Sequence, residues 1–189
     1  MLKQRLLAAL ALIPVFLAAL FWFPQWGWGV LMGVVALLAA GEWARLSGFG
    51  DSGRVLFLTI TAALLLGAYG LLKRGSPAAW WLVAASIVFW LAFVPLWIGR
   101  HWRLPQPWLR AIVGWLLLLP TWIAIVDLRL IGPGVVLFVM GMVWLADSAA
   151  YFSGRTWGRH RLAPTVSPGK TWEGVAGALA AVVILAFLV

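Results

Sequence analysis

The chain has 189 residues, of which 65% are apolar and 10% charged, against roughly 45–50% and about 25% in an ordinary soluble domain; a water-soluble fold is excluded. Its mean hydropathy of +1.03 is spread along the whole length, so the chain folds inside a bilayer rather than hanging from a single anchor. No cysteine is present, which removes disulfides, thiolate catalysis and Cys-based metal sites. The net charge of +9 reads first as a topology signal and then as a sign of anionic substrates or membrane lipid headgroups, with nucleic acid not expected as a partner.

Uncharged apolar runs predict membrane helices over Leu6 to Phe23, Trp26 to Gly41, Val55 to Leu72, Ala78 to Ile98, Ala111 to Val126, Leu130 to Ala146 and Gly174 to Val189. The expected fold is all-α: a polytopic helical membrane bundle of about seven transmembrane helices, with residues 1–189 forming one transmembrane domain and residues 144–174 a cytoplasmic motif region. Lys3 and Arg5 before the first run imitate a signal peptide, but no small-residue cleavage site follows and the next run begins at once. Pro14, Pro95 and Pro120 fall inside runs, where a kink survives only if neighbouring helices satisfy the freed carbonyls. The fifteen tryptophans are expected at the membrane interfaces.

Alternating the spans from a cytoplasmic N-terminus gathers Lys3, Arg5, Arg45, Arg54, Arg100, Arg103, Arg110, Arg155, Arg159, Arg161 and Lys170 on one side, and leaves Lys73, Arg74 and Arg129 on the other. The positive-inside rule then places the loops at 42–54, 99–110 and 147–173 in the cytoplasm.

Polar residues concentrate between Trp144 and Gly174. Asp147 ends an apolar run, where an ionisable group is costly enough that function is the default hypothesis; the alternative is a structural carboxylate near Arg155. On a continuing helix Asp147, Tyr151 and Arg155 share a face, with Ser148 beside it. Gly154 and Gly158 give backbone freedom around Arg155 and Arg159, and His160 and Arg161 complete a cationic cluster suited to phosphate oxygens or, alternatively, to anionic headgroups. His160 reads as a surface histidine and is not assigned catalysis. The GKT at Gly169 to Thr171 is no P-loop, because Pro164 stands where the first glycine is required. What remains is a turn in which Thr171 could cap the next helix, whose N-terminus favours an anion. Glu42, Trp43 and Arg45 read as a structural helix-end group.

The run A-D-S-A-A-Y-F-S-G-R-x-x-G-R-H-R-L-A-P-x-V-S-P-G-K-T-W-E-G, from Ala146 to Gly174, closely resembles the core of the bacterial phosphatidate cytidylyltransferases, the CDP-diacylglycerol synthases. The opening M-L-K-Q-R-L and E-W-A-R-L-S-G-F at Glu42 to Phe49 are similar to that family too, so the resemblance spans the chain. It implies a multi-pass inner-membrane enzyme that joins CTP to phosphatidic acid, giving CDP-diacylglycerol and pyrophosphate with the help of Mg²⁺. Carried over position by position, it implies a catalytic role for Asp147, Ser148 and Lys170, with Asp147 also on the metal. Phosphate or substrate contacts follow for Arg155, Arg159, Arg161, Ser167 and Thr171, and more weakly for Glu173, where relatives vary between Glu and Gln. A homodimer is compatible with the sequence and not required by it.

The family's Asp-rich C-terminal signature is absent from these residues, and the expectation is an N-terminal portion of a longer enzyme, inactive alone. Two other readings stay open on the residues themselves. The Pro and Gly breaks and Asp147 also suit a transporter or lipid-binding scaffold, and a CTP-dependent polyprenol kinase, releasing CDP instead of pyrophosphate, shares the substrate logic.

Overall fold

A computed structural model describes residues 2–73, 76–100 and 104–188, and the side chains of all of these except 2–9, 78 and 79. Arg74, Arg103 and Val189, and the side chains of Lys3 and Arg5, lie outside that description. The helices are α1 (Leu2–Trp22), α2 (Gln25–Leu46), α3 (Asp51–Lys73), α4 (Ala78–Val88), α5 (Val94–Arg100), α6 (Pro107–Ile131), α7 (Pro133–Trp157) and α8 (Trp172–Leu188). A π-helical turn, Phe89–Phe93, joins α4 to α5 without a break, and strands β1 (Arg161–Ala163) and β2 (Ser167–Thr171) form an antiparallel hairpin before α8. Among the described residues five stretches are long and apolar enough to cross a bilayer: Gln25–Leu46, Asp51–Lys73, Trp80–Arg100, Pro107–Ile131 and Pro133–Trp157; the apolar helices Leu10–Trp22 and Trp172–Leu188 are shorter. The chain is an all-α, multi-pass membrane protein.

Two boundaries differ from expectation. Asp127 and Arg129 are still helical, because the break falls at Gly132 and Pro133, a glycine after one helix and a proline opening the next. The following helix passes Ala146 and runs to Trp157; this stretch contains no proline, and Ala149 and Ala150 favour helix. Residues 147–157 are therefore helix, and the hairpin occupies much of what was read as loop.

The contacts divide the chain into two compact units, Met1–Pro133 and Gly134–Val189. The first is held by aromatic side chains reaching backbone carbonyls. Trp28 Nε1 donates to Ile125 O at 3.2 Å, Trp43 Nε1 to Arg110 O at 2.9 Å and Trp122 Nε1 to Gly29 O at 3.2 Å. Trp115 Nε1 donates to Thr61 Oγ1 at 3.0 Å, and that hydroxyl donates to Phe57 O at 2.7 Å. Each of these indoles has an N–H that needs an acceptor once it is packed between helices, and finds one on a neighbouring helix. The stacked pair Phe57 and Trp115, with centroids 5.4 Å apart, packs with Ala40, Ala44 and Trp43 into one cluster. Gly114 makes that cluster possible, since a Cβ there would lie 2.5 Å from Trp43 Nε1 and 3.0 Å from Phe57 Cζ.

The helix breakers are answered locally. Pro120 cannot donate to Leu116 O, and Ser86 Oγ on α4 donates to that carbonyl at 3.0 Å, as a kink in lipid requires. The π-helical turn lies just before Pro95, a common way of absorbing a missing donor. At the end of α2, Gly48 takes φ +69°; its N–H donates to Arg45 O at 3.1 Å and that of Phe49 to Ala44 O at 3.0 Å, a Schellman closure that needs a left-handed residue.

Two guanidinium groups hold the ends of the bundle. Arg110 donates to Ser47 O and Pro105 O. Arg129 donates to Leu20 O at 2.9 Å, Phe23 O and Gln25 Oε1 at 3.0 Å, and lies 5.6 Å from the Trp28 ring centroid. Along α6 these two arginines are about 28 Å apart at 1.5 Å per residue, close to the thickness of a hydrocarbon core. Glu42 pairs with Arg45 at the exposed end of α2.

Candidate functional site

The second unit, Gly134–Val189, carries every residue singled out as a site candidate. Its frame is a crossing of α7 and α8 over small residues. A Cβ on Gly154 would lie 2.9 Å from Thr171 Oγ1 and 3.6 Å from Gly174 Cα; one on Gly174 would meet Ala150 O at 3.0 Å; one on Gly177 would stand 2.1 Å from Ser153 Oγ and 2.6 Å from its Cβ. Such backbone proximity is how helices associate when lipid removes the hydrophobic drive between them. Gly154 is thus an ordinary helical residue required for close approach, which replaces the reading of Gly154 as a source of backbone freedom. Gly158 ends the helix with its N–H on Gly154 O at 3.1 Å, and a Cβ there would meet Thr171 Cγ2 at 2.8 Å.

The hairpin leaves this crossing. Arg161 pairs with Thr171 and Ala163 with Ser167, with an irregularity between. Val166 N–H donates to Ala163 O at 3.1 Å, closing a turn with Pro164 at its second position. Pro168 lacks a ladder donor and is tolerated because a two-stranded hairpin is all edge. Buried Thr171 accepts the Gly174 N–H at Oγ1, 3.2 Å, making it the N-cap of α8 as the sequence suggested.

The charged side chains are disposed in three ways. Arg155 donates to the Tyr151 hydroxyl at 2.7 Å, its Cζ 5.9 Å from that ring's centroid, and Arg161 donates to Pro168 O across the hairpin. Glu173 turns back from the first turn of α8 onto His160: the His160 backbone N–H donates to Oε1 and Oε2 at 3.2 and 3.3 Å, and Nδ1 is 2.7 Å from Oε1. The His160 side-chain bond, followed by backbone N–H groups of Glu173, His160 and Arg159, outweighs desolvation and holds the Glu173 pKa at about 2. The side chains of Asp147, Ser148, Arg159 and Lys170 are exposed and have no hydrogen-bond or ion-pair partner among the described residues.

Distance separates these groups along α7. Asp147 lies about 12 Å along the axis from Arg155, at 1.5 Å per residue, and Arg155 pairs with Tyr151 instead. Ser167, Lys170 and Thr171 share β2, with Thr171 buried and Lys170 exposed. The His160–Glu173 bond was not read from the sequence; its partners are thirteen residues apart and meet only because the hairpin closes. The glycine crossing did leave a signal, small residues at helical spacing in both α7 and α8. No group of three or more His, Cys, Asp or Glu side chains able to hold a metal occurs among the described residues.

Residues 3–189 match the model of the cytidylyltransferase family. The phosphatidate cytidylyltransferase of Pseudomonas aeruginosa is 38% identical over 189 residues, covering 95% of this chain and 67% of that protein. That of Haemophilus influenzae is 33% identical over 209 residues, covering 100% of this chain and 72% of its own length. The Thermotoga maritima protein of the same name is 45% identical over a shorter stretch of 60 residues. No solved structure matches. Neither the transporter or scaffold reading nor the polyprenol kinase finds support in these matches.

Proposed function

We propose that this chain, which belongs to the cytidylyltransferase family and is therefore a nucleotidyltransferase of phospholipid biosynthesis, is a phosphatidate cytidylyltransferase acting on CTP and phosphatidic acid. A phosphate oxygen of the lipid attacks the α-phosphorus of CTP; the bond from that phosphorus to the bridging oxygen breaks, and pyrophosphate leaves with the electron pair. No side chain need become covalently attached, so the protein's task is to bring two polyanions together and offset charge on the leaving group.

The observation that carries this reading is that one compact unit presents the Arg159 side chain just before, and the Lys170 side chain on, a hairpin rooted in the glycine crossing of α7 and α8, with the Asp147 side chain on α7, all three without partners among the described residues. Arg159, Lys170 and the hairpin's Ser167 bind nucleotide phosphates, and Arg155 and Arg161, fixed by Tyr151 and Pro168 O, add to the same positive field. Ser148 lies next to Asp147 as a hydroxyl contact, and Thr171 sets the α8 N-terminus beneath the hairpin.

Asp147 is a free carboxylate and Glu173 is engaged by His160, which suits a metal that arrives with substrate: Mg²⁺ keeps several waters and takes one or two carboxylates plus phosphate oxygens. Asp147 would hold it, and when bound it supplies neutralisation of phosphate charge. The site would face the cytoplasm of the bacterial inner membrane, following the excess of Lys and Arg, and homodimerisation is compatible with this arrangement.

The test is an assay of the chain in detergent with CTP, phosphatidate and Mg²⁺, beside an active relative. Pyrophosphate and CDP-diacylglycerol in equal amounts would show that these residues suffice, against the expectation that they are inactive alone. CDP with a phosphorylated alcohol would overturn the reading in favour of a kinase. A chain that binds CTP yet forms no product would limit these residues to substrate binding, and one that does neither would overturn the reading.

A further inference from the structure

We propose that His160 is a phosphate-binding residue of the nucleotide site, its ring fixed at Nδ1 by the Glu173 carboxylate so that Nε2 is presented to a phosphate oxygen beside Arg159 and Lys170. The inference rests on the nucleotide-binding reading above and adds to it a proton-dependent ligand.

The geometry sets the ring's chemistry. A carboxylate only accepts hydrogen bonds, so Nδ1, 2.7 Å from Glu173 Oε1, carries its proton in both ionisation states. The opposite nitrogen, Nε2, therefore decides how the ring meets an anion: in the neutral ring it is a lone pair facing phosphate oxygens, and in the imidazolium it is a charged donor. Backbone contacts fix the ring's position as well. The His160 N–H donates to both Glu173 oxygens, and the His160 carbonyl accepts the Trp172 N–H at 3.0 Å. The side chain of His160 is 78% exposed while that of Glu173 is 24% exposed; the carboxylate is the seated partner and the ring the open one.

Arg159 and Arg161 flank His160 in the chain, Lys170 lies on β2, and Arg155 stands in the last turn of α7. Among the described residues Glu173 on α8 is the acidic group bonded to the ring, and it fixes the ring through Nδ1. The carboxylate at Glu173 thus acts on phosphate through His160, since its own charge would repel a phosphate oxygen. That makes Glu173 a positioning residue.

The chain contains two histidines, His101 and His160, so ¹⁵N-histidine labelling of the whole chain in detergent micelles gives few ring signals, and the His160→Gln spectrum assigns them. The probes are CTP and inorganic pyrophosphate. On saturation with either, the His160 Nε2 signal is expected to move toward the imidazolium position. Between about pH 6 and pH 8 the dissociation constant of CTP should rise roughly tenfold more in the wild type than in His160→Gln, the size of one charge-assisted bond. His160→Arg, permanently charged, should bind at pH 8 as the wild type binds at pH 6. Glu173→Gln should keep the fold of the hairpin and weaken CTP binding, since the ring loses the carboxylate that fixes it. The ligand's own titration is common to all variants and cancels.

An equal pH slope in wild type and His160→Gln overturns the proposal, as does CTP binding with an unmoved His160 signal. If no variant and no wild-type sample binds CTP at any pH, the nucleotide reading falls together with it. If wild type and variants all bind with the same constants, only the role of His160 falls.

Discussion

The two compact units dispose of their cations and their small residues in opposite ways. In residues 1–133 the guanidinium groups of Arg110 and Arg129 donate to backbone carbonyls and Gln25, with the buried Nε of Arg110 left over, and four indole N–H groups close interhelical bonds. In residues 134–189 the helices meet through Gly154, Gly174 and Gly177, while Arg159 and Lys170 are left without partners among the described residues. A cation already satisfied by carbonyls is a structural group, and one held near a rigid crossing but unpaired is available to an anion. Counting arginines would therefore misplace function; their partners locate it.

The sharpest break of this contrast is Asp147→Asn, which removes charge without changing volume. Turnover should fall by about 10³-fold or more if Asp147 binds metal-bridged phosphates, with insertion and thermal unfolding in detergent unchanged. Near-normal formation of CDP-diacylglycerol would make Asp147 structural.

Next in size are two alanine substitutions of equal chemistry, with a third as their control. Gly177→Ala places a Cβ against Ser153 and should destabilise the second unit by about 1–3 kcal/mol, with loss of CTP affinity, as overpacking does. Gly114→Ala, pressing on Trp43, should cost about as much but leave CTP affinity intact where the protein is folded. Gly141→Ala on α7, with open space around it, should be neutral or slightly stabilising. Thermal unfolding beside CTP titration separates the three outcomes.

Lys170→Ala should raise the KM for CTP roughly tenfold with kcat little changed if the ammonium contributes ground-state phosphate binding. An unaltered KM would move Lys170 to the lipid phosphate or to topology.

The smallest effect concerns acid. The pKa of Glu173 is lowered from 4.5 to about 2, so its bond to His160 contributes stability that is complete above pH 4.5 and is lost as pH falls through about 2. The gap in melting temperature between wild type and Glu173→Gln should thus close on descending from pH 5 to pH 2. A gap that widens in acid would place the carboxylate elsewhere.

Much of the fold was legible because lipid imposes it: apolar runs had to become helices, and Pro120 had to find a neighbour for its freed carbonyl, which Ser86 supplies. The cap at Thr171 and the pair Glu42–Arg45 were legible because both are local. Boundaries at Gly132 and Trp157 were missed because hydropathy marks the membrane, not the end of hydrogen bonding. The indole bonds of Trp28 and Trp122 span more than ninety residues, and the turn of Glu173 onto His160 depends on a hairpin; neither leaves a periodic trace. The candidate site was legible as composition, but not which of its charges are already occupied.

Arg110 and Arg129 grip neighbouring carbonyls at opposite ends of α6. In a bilayer thinner or thicker than the apolar length between them, α6 cannot slide past its neighbours without breaking charge-assisted bonds. The mismatch must instead be met by tilting of the first unit as one body or by bending of the lipid around it. A protein that supplies a precursor of membrane lipid is thereby mechanically coupled to the thickness of the membrane those lipids build.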